Sequence, residues 1–167
     1  MSDHPEDHAE DTEDTLPGSG SVIDRVRARR DERIADEHLD LPVPTWGGEL
    51  VARFTVVDTD VLERITKRLQ AGKADPGADA DFLVAACTGV FVREDDGPLE
   101  AVTHDGQPVA FDKRLAVVLG IDAERAREVV DYLVKGNRLA LGSLAVRVLN
   151  WMQDTSVEVE GQIVGEA

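Results

Sequence analysis

The longest apolar stretch of the chain, residues 80–92, predicts a central helix. From Phe82 onward, apolar or small residues recur at i, i+3, i+4, i+7 and i+8, and most of the remaining circumference is also apolar. A helix without a polar face has to be surrounded by other elements. The stretch is too short to cross a bilayer, which takes about 20 apolar residues. We therefore expect residues 80–92 to form a buried helix on which the other elements pack.

Alternating patterns on either side of this stretch predict two small β-hairpins. Residues 39–58 alternate apolar and polar positions around Gly47-Gly48, and two prolines confine the first strand to a sheet edge or an extended arm. Asp105-Gly106 predicts a second hairpin, between residues 99–103 and 107–111. Between the two hairpins, Pro76-Gly77 predicts a turn within a loop at 71–78.

Helical periodicity and capping residues predict the remaining elements. Two segments show clear apolar stripes: residues 58–70, with Asp60 and Glu63 at capping-box spacing, and the segment that Asp122 caps and Gly136-Asn137 closes. Asp112 caps a short helix at 115–119. A charged helix at 21–38 and a strongly apolar helix at 138–152 complete the prediction.

These elements predict a mainly α, α+β fold, a compact helical bundle with one or two small β-hairpins. Residues 1–20 carry seven acidic residues and no Lys or Arg, which predicts a disordered acidic tail. The charged helix at 21–38 follows. Residues 39–153 are expected to form a single globular helical domain with an N-terminal hairpin, and residues 154–167 a C-terminal tail.

The charge balance limits the partners. The 167 residues carry a formal charge of −16, which argues against non-specific binding to nucleic acid or to an anionic membrane. Five arginines at 25–33 could contact nucleic acid, but the acids between them favour an exposed, internally paired helix. The N-terminus lacks a basic region followed by an apolar run, so we expect a cytoplasmic protein.

Candidate catalytic and metal-binding residues are few. Cys87 is the one cysteine, and its apolar neighbours favour a packed thiol over a reactive one. His104 has no nucleophile or paired acid identifiable near it, and His4 and His8 in the acidic tail are weak metal candidates. The sequence has no paired carboxylates, metal cluster or phosphate-binding loop in the structural context that each of these motifs requires. We therefore expect no enzyme, no metal and no cofactor.

Large apolar residues are the better functional candidates. The last predicted helix is apolar enough to bind another helix, and the first hairpin carries two aromatic residues. Core packing is the competing and favoured interpretation for all of them. For the tryptophan of the hairpin turn, covering the hairpin's own face is favoured over partner contact. The candidate partner-binding residues are Trp46, Phe54, Leu149, Trp151 and Met152.

The order of segments resembles that of the tail assembly chaperones of long-tailed bacteriophages, especially actinobacterial phages and related prophages. The similarity extends over residues 23–152 as an organisation of segments rather than as a single motif. The residues that carry it are 41–48 (LPVPTWGG), 50–54 (LVARF), 60–69 (DVLERITKRL) and 82–90 (FLVAACTGV).

The resemblance implies a non-enzymatic role in the cytoplasm of a bacterial host. Members of this family coat the tape-measure protein, assist the tail-tube protein to polymerise around it, and are absent from the mature virion. Tape-measure protein and tail-tube protein would then be the partners, with no nucleic acid and no membrane, and self-association stays open. Two alternatives are a structural virion protein of the tail, connector or baseplate, and an acidic interaction protein that mimics nucleic acid.

Overall fold

The computed structural model describes residues 20–71 and 75–165, with side chains described throughout except at 34, 35, 70, 76 and 156–165. The acidic tail predicted at 1–20 lies outside the described residues apart from Gly20. The last two residues of the predicted C-terminal tail lie outside them as well. Internal contacts divide the chain into two units, Met1–Arg33 and Ile34–Ala167.

The described chain has an α+β fold, as the sequence predicts. Its helices are α1 (Val22–Asp36), α2 (Thr59–Gln70), α3 (Pro76–Ala86), α4 (Lys113–Leu119), α5 (Ala126–Leu133) and α6 (Arg138–Gly165). Its strands are β1 (Leu39–Pro42), β2 (Leu50–Phe54), β3 (Cys87–Val92), β4 (Glu100–Ala101), β5 (Thr103–His104) and β6 (Gln107–Pro108).

The first helix, α1, has the mixed charge that its sequence predicts. The Ser21 hydroxyl accepts a hydrogen bond from the Asp24 N–H at 3.2 Å, and the Asp24 carboxylate accepts one from the Ser21 N–H at 3.2 Å. This reciprocal pair is a capping box, and it fixes where α1 begins. Exposed ion pairs such as Arg30–Asp31 follow along the helix. The prediction of an internally paired, exposed helix is confirmed.

The first hairpin is confirmed and becomes half of a four-stranded antiparallel sheet. The strand order is β1-β2-β3-β4, so β1, with its proline, lies at an edge. Gly47 and Gly48 have φ of 60° and 83°, the left-handed values that the turn requires. On β2, Arg53 donates two hydrogen bonds to Asp40 of β1, at 2.8 and 2.9 Å. These bonds hold the pKa of Asp40 below its ordinary value.

The predicted central helix at 80–92 is wrong in its second half. Helix α3 ends at Ala86, and the chain continues directly into β3, the strand that lies between β2 and β4. A short apolar run does not distinguish a buried helix from a buried strand by periodicity. In this run the residues after Cys87 include β-branched and aromatic side chains, which favour a strand. Both halves are nevertheless central, since α3 packs against α2, α5 and α6.

One predicted helix start and two predicted caps are also wrong. Pro76 does not lie in a turn but begins α3, where a proline needs no hydrogen-bond partner. The Asp75 side chain caps that helix by accepting from the Ala78 N–H at 3.2 Å. Helix α2 begins directly after Asp58, in agreement with the predicted bounds of 58–70, but Asp60 lies inside the helix and no side chain caps its start. Helix α5 begins after Arg125 rather than Asp122.

The elements between β3 and α5 follow the prediction more closely. The hairpin at Asp105-Gly106 forms, but β5 and β6 are only two residues each, and Glu100–Ala101 pairs with β3 instead. Asp112 caps α4 by accepting from the backbone N–H groups of Arg114 and Leu115. Gly120, with φ of 68°, ends it as predicted.

The last helix, α6, is longer than predicted and is buried along one side. It continues to Gly165, past the predicted end at 152, so the backbone of the predicted tail at 154–165 is helical and forms no strand. Its buried residues recur every three or four positions, which is the spacing of a single helix face. They are Leu141, Leu144, Ala145, Val148, Met152 and Thr155.

The turn of the first hairpin is hydrogen-bonded to the end of α5. The Trp46 indole N–H and the Thr45 hydroxyl both donate to the Leu133 carbonyl oxygen, at 2.9 and 3.1 Å. A carbonyl in the last turn of a helix has no partner within the helix. The Trp46 indole therefore supplies a hydrogen-bond partner to the end of α5.

Because Trp46 and Thr45 donate to the same carbonyl oxygen, removing both donors should change the free energy of unfolding by more than the two single changes added together. Trp46→Phe should lower the free energy of unfolding by about 1 kcal/mol, since Thr45 still donates. The double variant Thr45→Val/Trp46→Phe should lower it by more than the sum of the single losses, because the carbonyl then has no side-chain donor. Urea unfolding measures both, with Trp151→Phe as the matched control on α6. Strictly additive losses would contradict the shared acceptor.

Candidate functional site

A shallow groove runs between α2 and α6, and we call it the α2–α6 groove. Each wall contributes residues at i, i+1 and i+4 of its helix, and α3 forms the floor. The groove encloses about 30 Å³, which is a dent in the surface rather than a closed cavity. Its lining residues are Ile65, Thr66 and Leu69 of α2, Ala145, Val146 and Leu149 of α6, and Asp79 and Phe82 of α3.

Large aliphatic side chains are exposed in and beside this groove. Leu69 is 41% exposed and Val146 is 55% exposed, while Leu149 is half-buried. On the same side of α6, Leu139 is 87% exposed. Residues 139–149 extend over about 15 Å of helix at 1.5 Å per residue. Single exposed aliphatics are ordinary on protein surfaces, but a run of them along a groove is typical of an interaction site.

A network of ion pairs connects one wall of the groove, α2, to its floor. Arg68 of α2 donates to Asp75 at 3.0 Å and to Asp81 of α3 at 2.8 Å. Arg127 of α5 donates to the same oxygen of Asp81 at 3.1 Å. Hydrogen bonds from these two arginines add charged contacts to the apolar packing of α3, and they connect α3 to α2 and α5. The network therefore holds α2 and α5 against α3, and it includes no residue of α6.

Asp79 lies between these two paired acids and differs from both. It is half-buried in the floor of the groove, and its carboxylate has no hydrogen bond or ion pair to any residue that the structure describes. Burial raises the pKa of Asp79 above its ordinary value, and the nearby charge of Asp75 raises it further. A Cβ atom added to Gly142 of α6 would lie 3.6 Å from the carboxylate oxygen. That distance is an ordinary van der Waals contact, so this part of α6 lies directly beside the carboxylate.

Of the five predicted partner-binding residues, the structure places one in this groove. Leu149 lines the wall formed by α6. Phe54 and Met152 lie in the core, where a partner cannot reach them. This placement agrees with core packing, the interpretation that the sequence favours. Phe54 packs edge-on against Phe111, with ring centroids 6.0 Å apart. Trp151 is half-buried against the core, on the far side of α6 from Leu149.

Trp46 lines a separate surface hollow of about 580 Å³ at the end of α5. Its indole is half-buried and already hydrogen-bonded to Leu133, so its first role is to hold the hairpin. Tyr132, which is 47% exposed, lies on the same hollow. The five predicted residues are therefore not brought together into a single surface.

Three residues that define the groove are not indicated by the sequence pattern. Leu69 had the spacing of a buried stripe residue, and Val146 lies in a helix that is apolar almost all round, so neither pattern shows which side faces solvent. Asp79 lies directly before the apolar stretch and belongs to no recognisable sequence motif. The signal that could have indicated it is its position three residues before Phe82, which places both side chains on one face of a helix.

Other chemistry is limited in the described part of the chain. Burial raises the pKa of Cys87 to about 12, so its thiol is protonated and a poor nucleophile at neutral pH. Among residues 20–71 and 75–165, no three His, Cys, Asp or Glu side chains come close enough together to hold a metal ion. None of the described helices combines the length and hydropathy needed to cross a membrane.

Comparison with family models, with curated proteins and with solved structures finds no match for this chain.

The environment of Asp79 predicts that removing its charge stabilises the free protein. Asp79→Asn should raise the free energy of unfolding at pH 7 by up to about 1 kcal/mol, because a half-buried carboxylate without a partner is lost. A carboxyl whose pKa is raised by folding destabilises the folded state once it ionises. The advantage of Asn should therefore fade as the pH falls through the raised pKa of the folded state toward the ordinary aspartate value of 3.8, and it should be absent below that value.

Asp81→Asn is the matched control for this measurement. It lies two residues further along α3 and accepts from Arg68 and Arg127, so its substitution should lower stability at pH 7. Chemical denaturation between pH 3 and pH 7 would compare the two variants. A destabilised Asp79→Asn variant would contradict the description of Asp79 as an unpaired carboxylate.

Proposed function

We propose that this chain is a non-enzymatic phage tail assembly chaperone that binds the tape-measure protein and assists assembly of the tail tube. The observation that supports the proposal is the α2–α6 groove, an apolar surface between two helices on an otherwise highly charged chain. A groove of this kind is a common binding mode for an amphipathic helix, whose apolar side chains lie between the two walls. The resemblance in the order of segments supports the same conclusion.

The exposed aliphatic residues supply the binding energy in this proposal. Complete burial of a Val or Leu side chain contributes about 1.5–3 kcal/mol relative to full exposure. Leu69 and Val146 each have roughly half of that surface left to bury. Together with Leu139, they would provide an affinity that is useful for reversible binding, because part of the gain is offset by the entropy lost on association.

The charge of −16 has a separate role in this proposal. A chain with a large net charge resists self-association and keeps its partner dispersed while the two are bound. We place the protein in the cytoplasm of the bacterial host, where tails assemble. A chaperone that leaves after assembly would be abundant in producing cells and absent from finished particles.

Co-expression tests this function with a single substitution. The probe is the tape-measure protein encoded in the same genome, produced with the wild-type chain, with Val146→Glu or with Val117→Glu. Val146 and Val117 are 55% and 61% exposed, but Val117 lies on α4, outside the groove. We expect a soluble complex with the wild type and with Val117→Glu, and its loss with Val146→Glu, because a buried glutamate would have no partner.

Two outcomes would contradict the proposal. One is a tape-measure protein that is equally soluble with and without this chain. The other is a fixed number of copies of the chain in purified particles, which would indicate a structural component of the tail. Quantitative mass spectrometry of lysate and particles distinguishes that second outcome.

A further inference from the structure

The acids Asp75, Asp79 and Asp81, at the start of α3, differ in whether they have a partner, and the stability of the fold does not explain this difference. Asp75 and Asp81 are both bound by arginines, and their pairs join α2, α3 and α5. Asp79, one helical turn from Asp75, is the acid that points into the α2–α6 groove. Its neighbour in the floor is the ring of Phe82, which is buried. A carboxylate in that position loses hydration without gaining a partner from the described residues.

The two arginines that bind the other acids of this helix start are engaged with those acids and not with Asp79. The guanidinium of Arg68 is occupied by Asp75 and Asp81, and that of Arg127 by Asp81. Among residues 20–71 and 75–165, no Lys or Arg pairs with Asp79, which leaves its carboxylate available to a cation of another molecule. Such a cation would meet a carboxylate already partly dehydrated, so that less water has to be removed when the pair forms.

We infer that the α2–α6 groove takes an amphipathic helix that places one Lys or Arg side chain on the Asp79 carboxylate. The aliphatic side chains of that helix would lie on Leu69, Val146 and Leu149, and its cation would project toward the floor. This inference rests on the proposed function, and it specifies the chemistry of the partner at that same groove.

Charge complementarity favours this occupant over the others. The chain carries −16 overall, and the floor of the groove carries a carboxylate, so a basic helix is attracted both at long range and on contact. A second copy of the chain has the same net charge and is repelled at long range. Anionic membranes and nucleic acids are repelled for the same reason.

A pair of designed peptides tests the inference directly. Each has roughly 18 residues, which is five helical turns, with leucines along one face. The two peptides differ at one position beside that face, which is Lys in one and Gln in the other. Fluorescence anisotropy measures their binding to the wild-type chain, Asp79→Asn, Val146→Glu and Val117→Glu.

We expect the Lys peptide to bind the wild-type chain about tenfold more tightly than the Gln peptide, as for a charged hydrogen bond formed in a partly dehydrated site. Asp79→Asn should remove this preference and leave the affinity for the Gln peptide unchanged. Val146→Glu should weaken both peptides, and Val117→Glu neither. Added salt should reduce the preference.

The outcomes that would overturn the inference are separate from those that would overturn the proposed function. Equal affinity for the two peptides, or a preference for Lys that survives Asp79→Asn, would remove the role of Asp79 and leave the chaperone proposal intact. Binding of neither peptide would exclude a helix in the groove. Dimerisation of the free chain that Val146→Glu abolishes, measured by sedimentation, would make a second copy the occupant. The tape-measure protein itself tests the function.

Discussion

The constraint on which the described structure depends is the apolar segment at 80–92, most of whose side chains are buried although Ala85, Thr88 and Val92 stay exposed. Residues 76–92 run without a break through α3 and β3. The helical half is covered by α2, α5 and α6, and the extended half by β2 and β4. Since α2 and α6 cover α3 with one face each, their other faces meet solvent. The groove between them is a direct consequence of how the segment is covered.

Features set by neighbouring residues could be predicted from the sequence, and features set by tertiary contacts could not. Gly47-Gly48 and the caps Asp112 and Gly120 were located correctly because a turn or a cap depends on local backbone geometry. The change from helix to strand after Ala86 depends on pairing with β2, which periodicity does not contain. The exposure of Val146 and the isolation of Asp79 depend on which helices lie beside them, and both were missed.

The groove combines two features that are unfavourable in the free protein. Exposed aliphatic side chains leave apolar surface in water, and the half-buried Asp79 carboxylate lacks a partner among the described residues. A single ligand, a basic amphipathic helix, would relieve both. Residues that lower stability yet favour binding are expected at functional sites rather than in scaffolds. By contrast, the arginine pairs of Asp75 and Asp81 stabilise the helices that hold the groove.

The most direct test of this account is methyl NMR of the full chain, labelled at Leu and Val, with the tape-measure protein added. The account predicts that the methyl signals of Leu69, Val146 and Leu149 shift together on binding. Those of Val117 and Val118, exposed on α4, should stay in place. Shifts confined to α4, or to the hollow at Trp46, would contradict the claim that the α2–α6 groove is the binding site.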